Sequence, residues 1–207
     1  MYPKIKTQCL KFQNELHLIS EERQLILKSI ADALVTRINS EGRAALIYIC
    51  THNSRRSHFG QIWANVLAEF YEISASIKAF SGGTEVTALH PNSIQALRTL
   101  GFHITSQGQD ANPIHNVSFG EYLSTDCFSK TYDDFSNPQN DFFAVMTCSH
   151  ADQNCPFIPG AAARFSTPYD DPKRFDNTPQ EAEKYMERCL EIGLEITYML
   201  NLVDKKA

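Results

Sequence analysis

The chain reads as an α/β protein: a three-layer α/β/α domain with a four-stranded parallel sheet, preceded by an N-terminal helical extension. Three observations predict this. The runs Ala44–Cys50 and Phe142–Thr147 are apolar throughout, as in parallel strands buried on both faces. Strand-type runs alternate with helical patterns, which implies βαβ units and a sheet covered on both sides. Residues 1–40 are patterned as helix. The boundaries that follow are an extension over 1–42 and a domain over 43–207.

Taken in order, Ser20 is placed to cap a helix reaching Asn39, with Glu21 and Glu22 in the first turn, where the helix dipole favours acids. Leu27, Ile30, Leu34 and Ile38 form one apolar stripe, and Glu41-Gly42 stops the helix. The stripe suits packing on the sheet and a dimer surface equally. After the first strand, a helical pattern runs from His58 to Tyr71. A second strand-length run spans 73–80 and ends in the turn signal Ser81-Gly82-Gly83-Thr84. Pro91 at a helix N1 position opens a helix to Leu100, closed by Gly101. Residues 105–140 are polar, rich in Asn, Ser and Gly, and long for a connection in a compact domain. They read as an inserted lid or a locally structured segment. A third strand at 142–147 and a short fourth at 163–165 follow. Asn177 or Thr178 as cap, with Pro179 at N1, starts a long last helix to Leu202.

The formal net charge of −5 does not suggest a nucleic-acid-binding surface. No apolar run approaches the roughly 20 residues of a membrane span, and the N-terminus has no signal-peptide run. The expectation is a cytoplasmic protein with reduced thiols and no nucleic-acid or membrane partner. Six cysteines in that setting read as redox-active or metal-binding more readily than as a structural framework.

The first chemical motif is Cys50-Thr51-His52-Asn53-Ser54-Arg55-Arg56-Ser57, between a strand and a helix. Backbone N–H groups of such a loop converge on an anion. The same N–H groups and the positive end of the helix favour a Cys50 thiolate. Arg56 offers a planar fork of donors that matches two oxygens of a tetrahedral oxyanion. Ser57 can donate to the thiolate. Thr51, His52, Asn53, Ser54, Arg55, Arg56 and Ser57 are therefore the candidate oxyanion-binding residues. The string Cys-Thr-x-Asn-Ser-x-Arg-Ser resembles the phosphate-binding loop of the low-molecular-weight protein tyrosine phosphatases and of the related thioredoxin-coupled arsenate reductases. The resemblance implies that family's sheet, with strand order 2-1-3-4.

The second motif, Cys148-Ser149-His150-Ala151-Asp152-Gln153-Asn154-Cys155-Pro156, also follows a strand directly. Carboxyl ends of parallel strands face one crevice, so Cys148 and Cys50 are expected to open onto the same space. Over a helix, the seven-residue step from Cys148 to Cys155 is about 10.5 Å, and a disulfide needs Cα atoms within about 7 Å. A helical segment must therefore unwind to bridge these thiols, as suits a transient disulfide, unless it is an irregular loop already. Inert buried thiols, or a metal site of Cys148, His150 and Cys155, are the other readings of the residues. The string Thr-Cys-Ser-x-Ala-Asp-x-Asn-Cys-Pro is similar to the redox segment of the thioredoxin-coupled arsenate reductases.

Asp171-Pro172 follows a strand and precedes the last helix, and the proline holds the carboxylate in an extended segment. In the phosphatase family, an Asp-Pro here supplies the general acid. The resemblance implies that Cys50 attacks arsenate held by Arg56 and the loop, that Asp171 protonates the departing oxygen, and that Cys148 then Cys155 relay the oxidation to a disulfide reduced by thioredoxin. The alternative is a tyrosine phosphatase using Cys50, Arg56 and Asp171 through a phosphocysteine, with a phosphotyrosine protein as substrate. Neither reading calls for a resident metal or a tightly bound cofactor. The chain departs from the family at Arg55, where a second loop cysteine is common, and at Lys173-Arg174-Phe175, where tyrosine phosphatases often carry a tyrosine pair. Gln61 stands near where an acidic residue of the reductases can help bind potassium. Cys9 and Cys189 read as packing residues, Cys127 as an exposed thiol of the polar connection, and His52 as a solvent-facing residue or one that contacts the ligand.

Overall fold

The structure is a computed structural model that describes residues 1–108, 110–155 and 157–206. Pro156, the end of the second cysteine motif, and Ala207, the end of the domain boundary, lie outside the described residues. The first two helices are α1 (Pro3–Glu15) and α2 (Glu21–Glu41). Ser20 caps α2 by accepting from the Arg23 amide, and Gly42, at φ +74°, ends it. β1 (Ala44–Cys50) is the central strand. It pairs in parallel with β2 (Ile77–Gly83) on one side and β6 (Phe142–Met146) on the other, and β6 pairs with β7 (Ala161–Ser166). The sheet order β2-β1-β6-β7 is the expected 2-1-3-4.

Alternate residues of β1 serve two cores. Leu46 and Tyr48 join the larger one with the helices α1, α2, α3 (Arg56–Phe70) and α6 (Glu181–Asp204). Ile47 and Ile49 face the other side, under Ala151, Ile158 and Tyr132. That second layer is thin: the six-residue helix α5 (Ser149–Asn154) and flanking segments. Ile5, Cys9, Phe12, Leu27, Ile30 and Leu34 of the extension all lie in the larger core, so its stripe packs inward.

The structure corrects several boundaries. The second strand is 77–83 instead of 73–80: Ile73 still belongs to the turn that ends α3, its amide donating to Ala68 O at 2.9 Å. Ser81, Gly82 and Gly83 are strand, and the glycines mark a close approach. A Cβ on Gly82 would lie 2.4 Å from Tyr132 Cα. α3 starts at Arg56, two residues before His58. α6 starts at Glu181, after Thr178 and Pro179, and its cap position Gln180 makes no side-chain cap bond. The 105–140 connection is locally structured. After α4 (Pro91–Thr99), β3 (His103–Gln107), β4 (Ile114–Gly120) and β5 (Leu123–Cys127) form an antiparallel sheet of their own. Cys127 is buried in it, not exposed, and burial pushes its thiol up to about 12.

Candidate active site

β1 delivers Cys50 to the carboxyl end of the sheet, where the chain turns into α3. Ser57 Oγ sits 3.1 Å from the Cys50 sulfur. Asn53 Nδ2 donates to the same Ser57 oxygen at 2.9 Å, so the serine's own proton is left to point at the sulfur. Asn53 adopts φ +43°, a left-handed conformation that Asn tolerates, and its Oδ1 accepts from the Lys130 amide at 2.9 Å. The loop carbonyls are turned outward and held. Thr51 O accepts from the amides of Thr84 and Glu85, and Ser54 O from the amide of His90. His52 O accepts from the hydroxyls of Thr87 and Ser129. Among the described residues, the amides of 52–55 donate to no other backbone carbonyl. Carbonyls out and amides unspent is the polarity of an anion-binding concavity.

Arg56 is 8% exposed. One terminal nitrogen donates to Tyr169 O at 2.9 Å, and the other to Asp171 Oδ2 at 2.5 Å. Its Nε is buried without a partner. The second Asp171 oxygen accepts from the Lys173 amide at 3.0 Å and caps the 3-10 turn Pro172–Phe175, so Pro172 and this cap fix the carboxylate. Arg56, Tyr169, Asp170 and Asp171 line an open cavity of about 450 Å³ with Thr51, His52, Glu85, Cys148, Ser149 and His150. Cys50, 3% exposed, lies beneath the loop and is not itself a lining residue.

Both cysteine motifs reach this cavity. β1 and β6 are adjacent parallel strands with Ile49 opposite Met146, which brings Cys50 and Cys148 to the same end. Thr51, directly after Cys50, places Oγ1 3.5 Å from the Cys148 sulfur. Cys148 is 2% exposed and caps α5, its sulfur accepting from the Ala151 amide at 3.4 Å. Cys155 follows the other end of α5 and is partly exposed. The intervening segment is thus helical and would have to unwind for the two thiols to meet. Asp152 ties this helix to β7 by accepting from Arg164 at 2.5 Å and from Ser166 Oγ at 2.8 Å.

The remaining sequence-selected residues separate. Arg55 turns its side chain away from the cavity, to Tyr185 OH at 2.8 Å and Asp176 at 3.6 Å. His52 sits on the cavity wall, 3.5 Å from Glu85. His58 is buried, with Nδ1 3.1 Å from Ser81 Oγ. Gln61 is spent in hydrogen bonds to Thr125, Asp126 O and Ser81. Among the described residues no cluster of three metal-ligating side chains exists, so Cys148, His150 and Cys155 do not form one. Sequence reasoning missed Tyr169, whose carbonyl seats Arg56, and the Ser129-Lys130 strap behind the loop. Neither lies in a recognisable motif, and only the fold brings them to the site.

No family model matches the chain. It is similar in sequence to an arsenate reductase of Bacillus cereus, 26% identical over 74% of this chain and 98% of that protein. An arsenate reductase of Bacillus subtilis is 26% identical over 72% and 88%. Its fold is that of a low molecular weight phosphotyrosine phosphatase from Vibrio cholerae, with a TM-score of 0.51 at 16% identity, covering 76% of this chain and 95% of the other. A low molecular weight protein tyrosine phosphatase from T. tengcongensis matches with the same TM-score at 13% identity, covering 76% and 98%. Among the described residues, no helix is long and apolar enough to cross a membrane. The chain thus has the fold of the low molecular weight phosphotyrosine phosphatases and is similar in sequence to proteins named arsenate reductase.

Proposed function

We propose that this protein is an arsenate reductase. The carrying observation is that Cys148 follows the strand next to the one bearing Cys50 and touches Thr51, the residue after Cys50. Hydrolysis through a phosphocysteine does not require a second thiol at that point, where Cys148 would be a bystander or a protective redox partner of Cys50. In the proposed sequence the Cys50 thiolate attacks arsenate held by the loop amides and Arg56, and Asp171 protonates the departing oxygen. The Cys148 thiolate attacks Cys50 Sγ. A Cys50–Cys148 disulfide forms, the sulfur–arsenic bond breaks, and its electron pair leaves with arsenic, which departs as arsenite. Cys155 then displaces Cys50 from Cys148, and a thioredoxin-type dithiol reduces the resulting Cys148–Cys155 bridge. Two thiols thus supply the two electrons that take arsenic from +5 to +3. Thr51, His52, Asn53, Ser54 and Ser57 shape the anion loop, while the Arg55 side chain serves its support instead. The phosphatase-type fold keeps one alternative, aryl phosphate hydrolysis through Cys50, Arg56 and Asp171.

The test is a thiol count on reduced protein before and after stoichiometric arsenate, without external reductant, in wild type and Cys148→Ser. Loss of two thiols in the wild type, mapped to Cys148 and Cys155, is expected. Unchanged thiols beside Cys50-dependent hydrolysis of an aryl phosphate would replace the reductase with a phosphatase.

A further inference from the structure

The exposed His150 is joined to the buried Cys148 by one hydroxyl. Thr51 Oγ1 lies 3.2 Å from His150 Nδ1 and 3.5 Å from Cys148 Sγ. The sulfur already accepts from the Ala151 amide, so its contact with Thr51 is the direction in which an S–H proton can be given. Thr51 can receive that proton and pass its own to Nδ1. The other charges around the cavity are taken in pairs. His52 is 3.5 Å from Glu85, Arg56 is on Asp171, Asp170 is 3.9 Å from Arg174, and Asp152, on the same helix as His150, is on Arg164. His150 is the titratable cavity residue that has no charged partner among the described residues and has a path to a thiol instead.

We propose that His150 takes the proton of Cys148 through the Thr51 hydroxyl, so that Cys148 enters disulfide exchange as a thiolate. The S–H proton moves to Thr51 Oγ1 while the Thr51 proton moves to His150 Nδ1. The sulfur keeps the electron pair, nothing is oxidised, and the net charge of the three groups is unchanged. The step rests on the reductase reading, because only there does Cys148 attack another sulfur. It answers a physical need of that reading. A neutral thiol is a poor nucleophile, and at 2% exposure Cys148 has little access to bulk water as a proton acceptor. His150 acts on Cys148 through another residue, so it is a positioning residue of the relay. Once protonated, it also leaves an imidazolium one hydroxyl away from the new thiolate, and the Ala151 N–H supports the negative sulfur from the other side.

The experiment uses full-length Cys50→Ser/Cys155→Ser protein, in which Cys148 stands beside Cys9, Cys127 and Cys189. Burial pushes each of those three up to about 12, so below the pH range in which tyrosines ionise and absorb in the same band, the ultraviolet thiolate absorbance reports Cys148. The titration is compared with His150 present, with His150→Ala and with His150→Asn. Asn can accept from Thr51 but cannot take up a proton. The expected result is a thiolate midpoint lower with His150 than in either variant by roughly one pH unit, a tenfold difference in thiolate fraction. The same midpoint in all three proteins overturns the proposal. So does recovery of the His150 behaviour by His150→Asn, which would make the residue a structural acceptor. No arsenate enters this titration, so its outcome is separate from the thiol count that tests the reductase itself.

Discussion

The hydroxyl of Tyr169 donates to Glu195 at 2.6 Å, deep between the last helix and the cavity wall. The other Glu195 oxygen accepts from Arg23 at 2.8 Å, and the Arg23 guanidinium lies 4.8 Å over the Tyr169 ring. Burial holds the Tyr169 phenol protonated, well above its ordinary range, with the Glu195 charge adding to the shift. The same tyrosine offers its carbonyl to Arg56. A buried charge network thus runs from α2 of the extension, through α6, to the candidate oxyanion fork. Tyr169→Phe leaves Glu195 one donor short at a site 6% exposed, and destabilises the fold by about 1–3 kcal/mol. Arg23→Met leaves a buried carboxylate uncompensated and costs about 3–5 kcal/mol. Denaturant unfolding measures both, and a loss no larger than that of an exposed alanine substitution would show that water reaches Glu195.

Gly83 makes a second connection between sheet and loop. A Cβ there would lie 2.6 Å from Glu85 O, 2.7 Å from Thr51 O and 2.8 Å from Asn53 N, all backbone atoms. None of these can rotate aside, so Gly83→Ala must displace the anion loop. Because a misplacement of about 1 Å can cost roughly 100-fold in rate, the variant should stay folded and lose at least tenfold in kcat/KM. Phosphate binding by calorimetry checks the same displacement without turnover. Wild-type affinity and rate in this variant would show that the loop is softer than its packing implies.

Those glycines illustrate what the sequence made legible and what it hid. Ser81-Gly82-Gly83 looks like a turn by composition, yet it is strand, because Gly there serves close backbone approach as well as turns. The central strands at 44–50 and 142–146 were readable since both of their faces are buried and nothing interrupts the apolar run. The inserted sheet was not. β3 has one buried residue, Ile104, among polar neighbours, a pattern that an irregular loop shares. In the site, Cys50, Arg56, Asp171 and Cys148 sit in motifs whose spacing was visible. Tyr169, Glu195 and Arg23 come together across 172 residues of sequence, and no local pattern records such a contact.

Asp171→Asn separates binding from chemistry. The carboxylate now occupies one end of the Arg56 fork at 2.5 Å and adds negative charge beside the space for an oxyanion. Its neutral replacement should bind inorganic phosphate a few-fold more tightly, since a like-charge repulsion of order 1 kcal/mol is removed. Turnover should fall by about 10²–10⁴, the usual loss on removing a general acid. Arg56→Lys should lose both, because an ammonium cannot span two oxygens or keep the bonds to Tyr169 and Asp171 together. Competition by phosphate and steady-state rates on one substrate give both signs. Weaker phosphate binding in Asp171→Asn would mean that the carboxylate positions the fork more than it repels the anion.

His58 carries the clearest pH dependence. It is fully buried directly after the anion loop, and burial first, then the Lys130 ammonium, press its imidazole down to about 3. The unfolded chain titrates near 6.5. Above about 6.5 both states are neutral and the residue contributes no pH dependence. As pH falls through 6.5 toward 3, the unfolded state takes up a proton that the folded state refuses, so stability declines by up to about 1.4 kcal/mol per pH unit. His58→Asn retains a donor that can face Ser81 without a titrating ring, and should flatten the stability profile in that window while matching the wild-type slope at neutral pH. His90 and His115 are also lowered by burial and remain in both proteins, so the difference between the two profiles isolates His58. Identical slopes between pH 6 and 4 would mean that the buried imidazole finds a proton-accepting partner when charged, and that the neutral ring is not what the loop is built on.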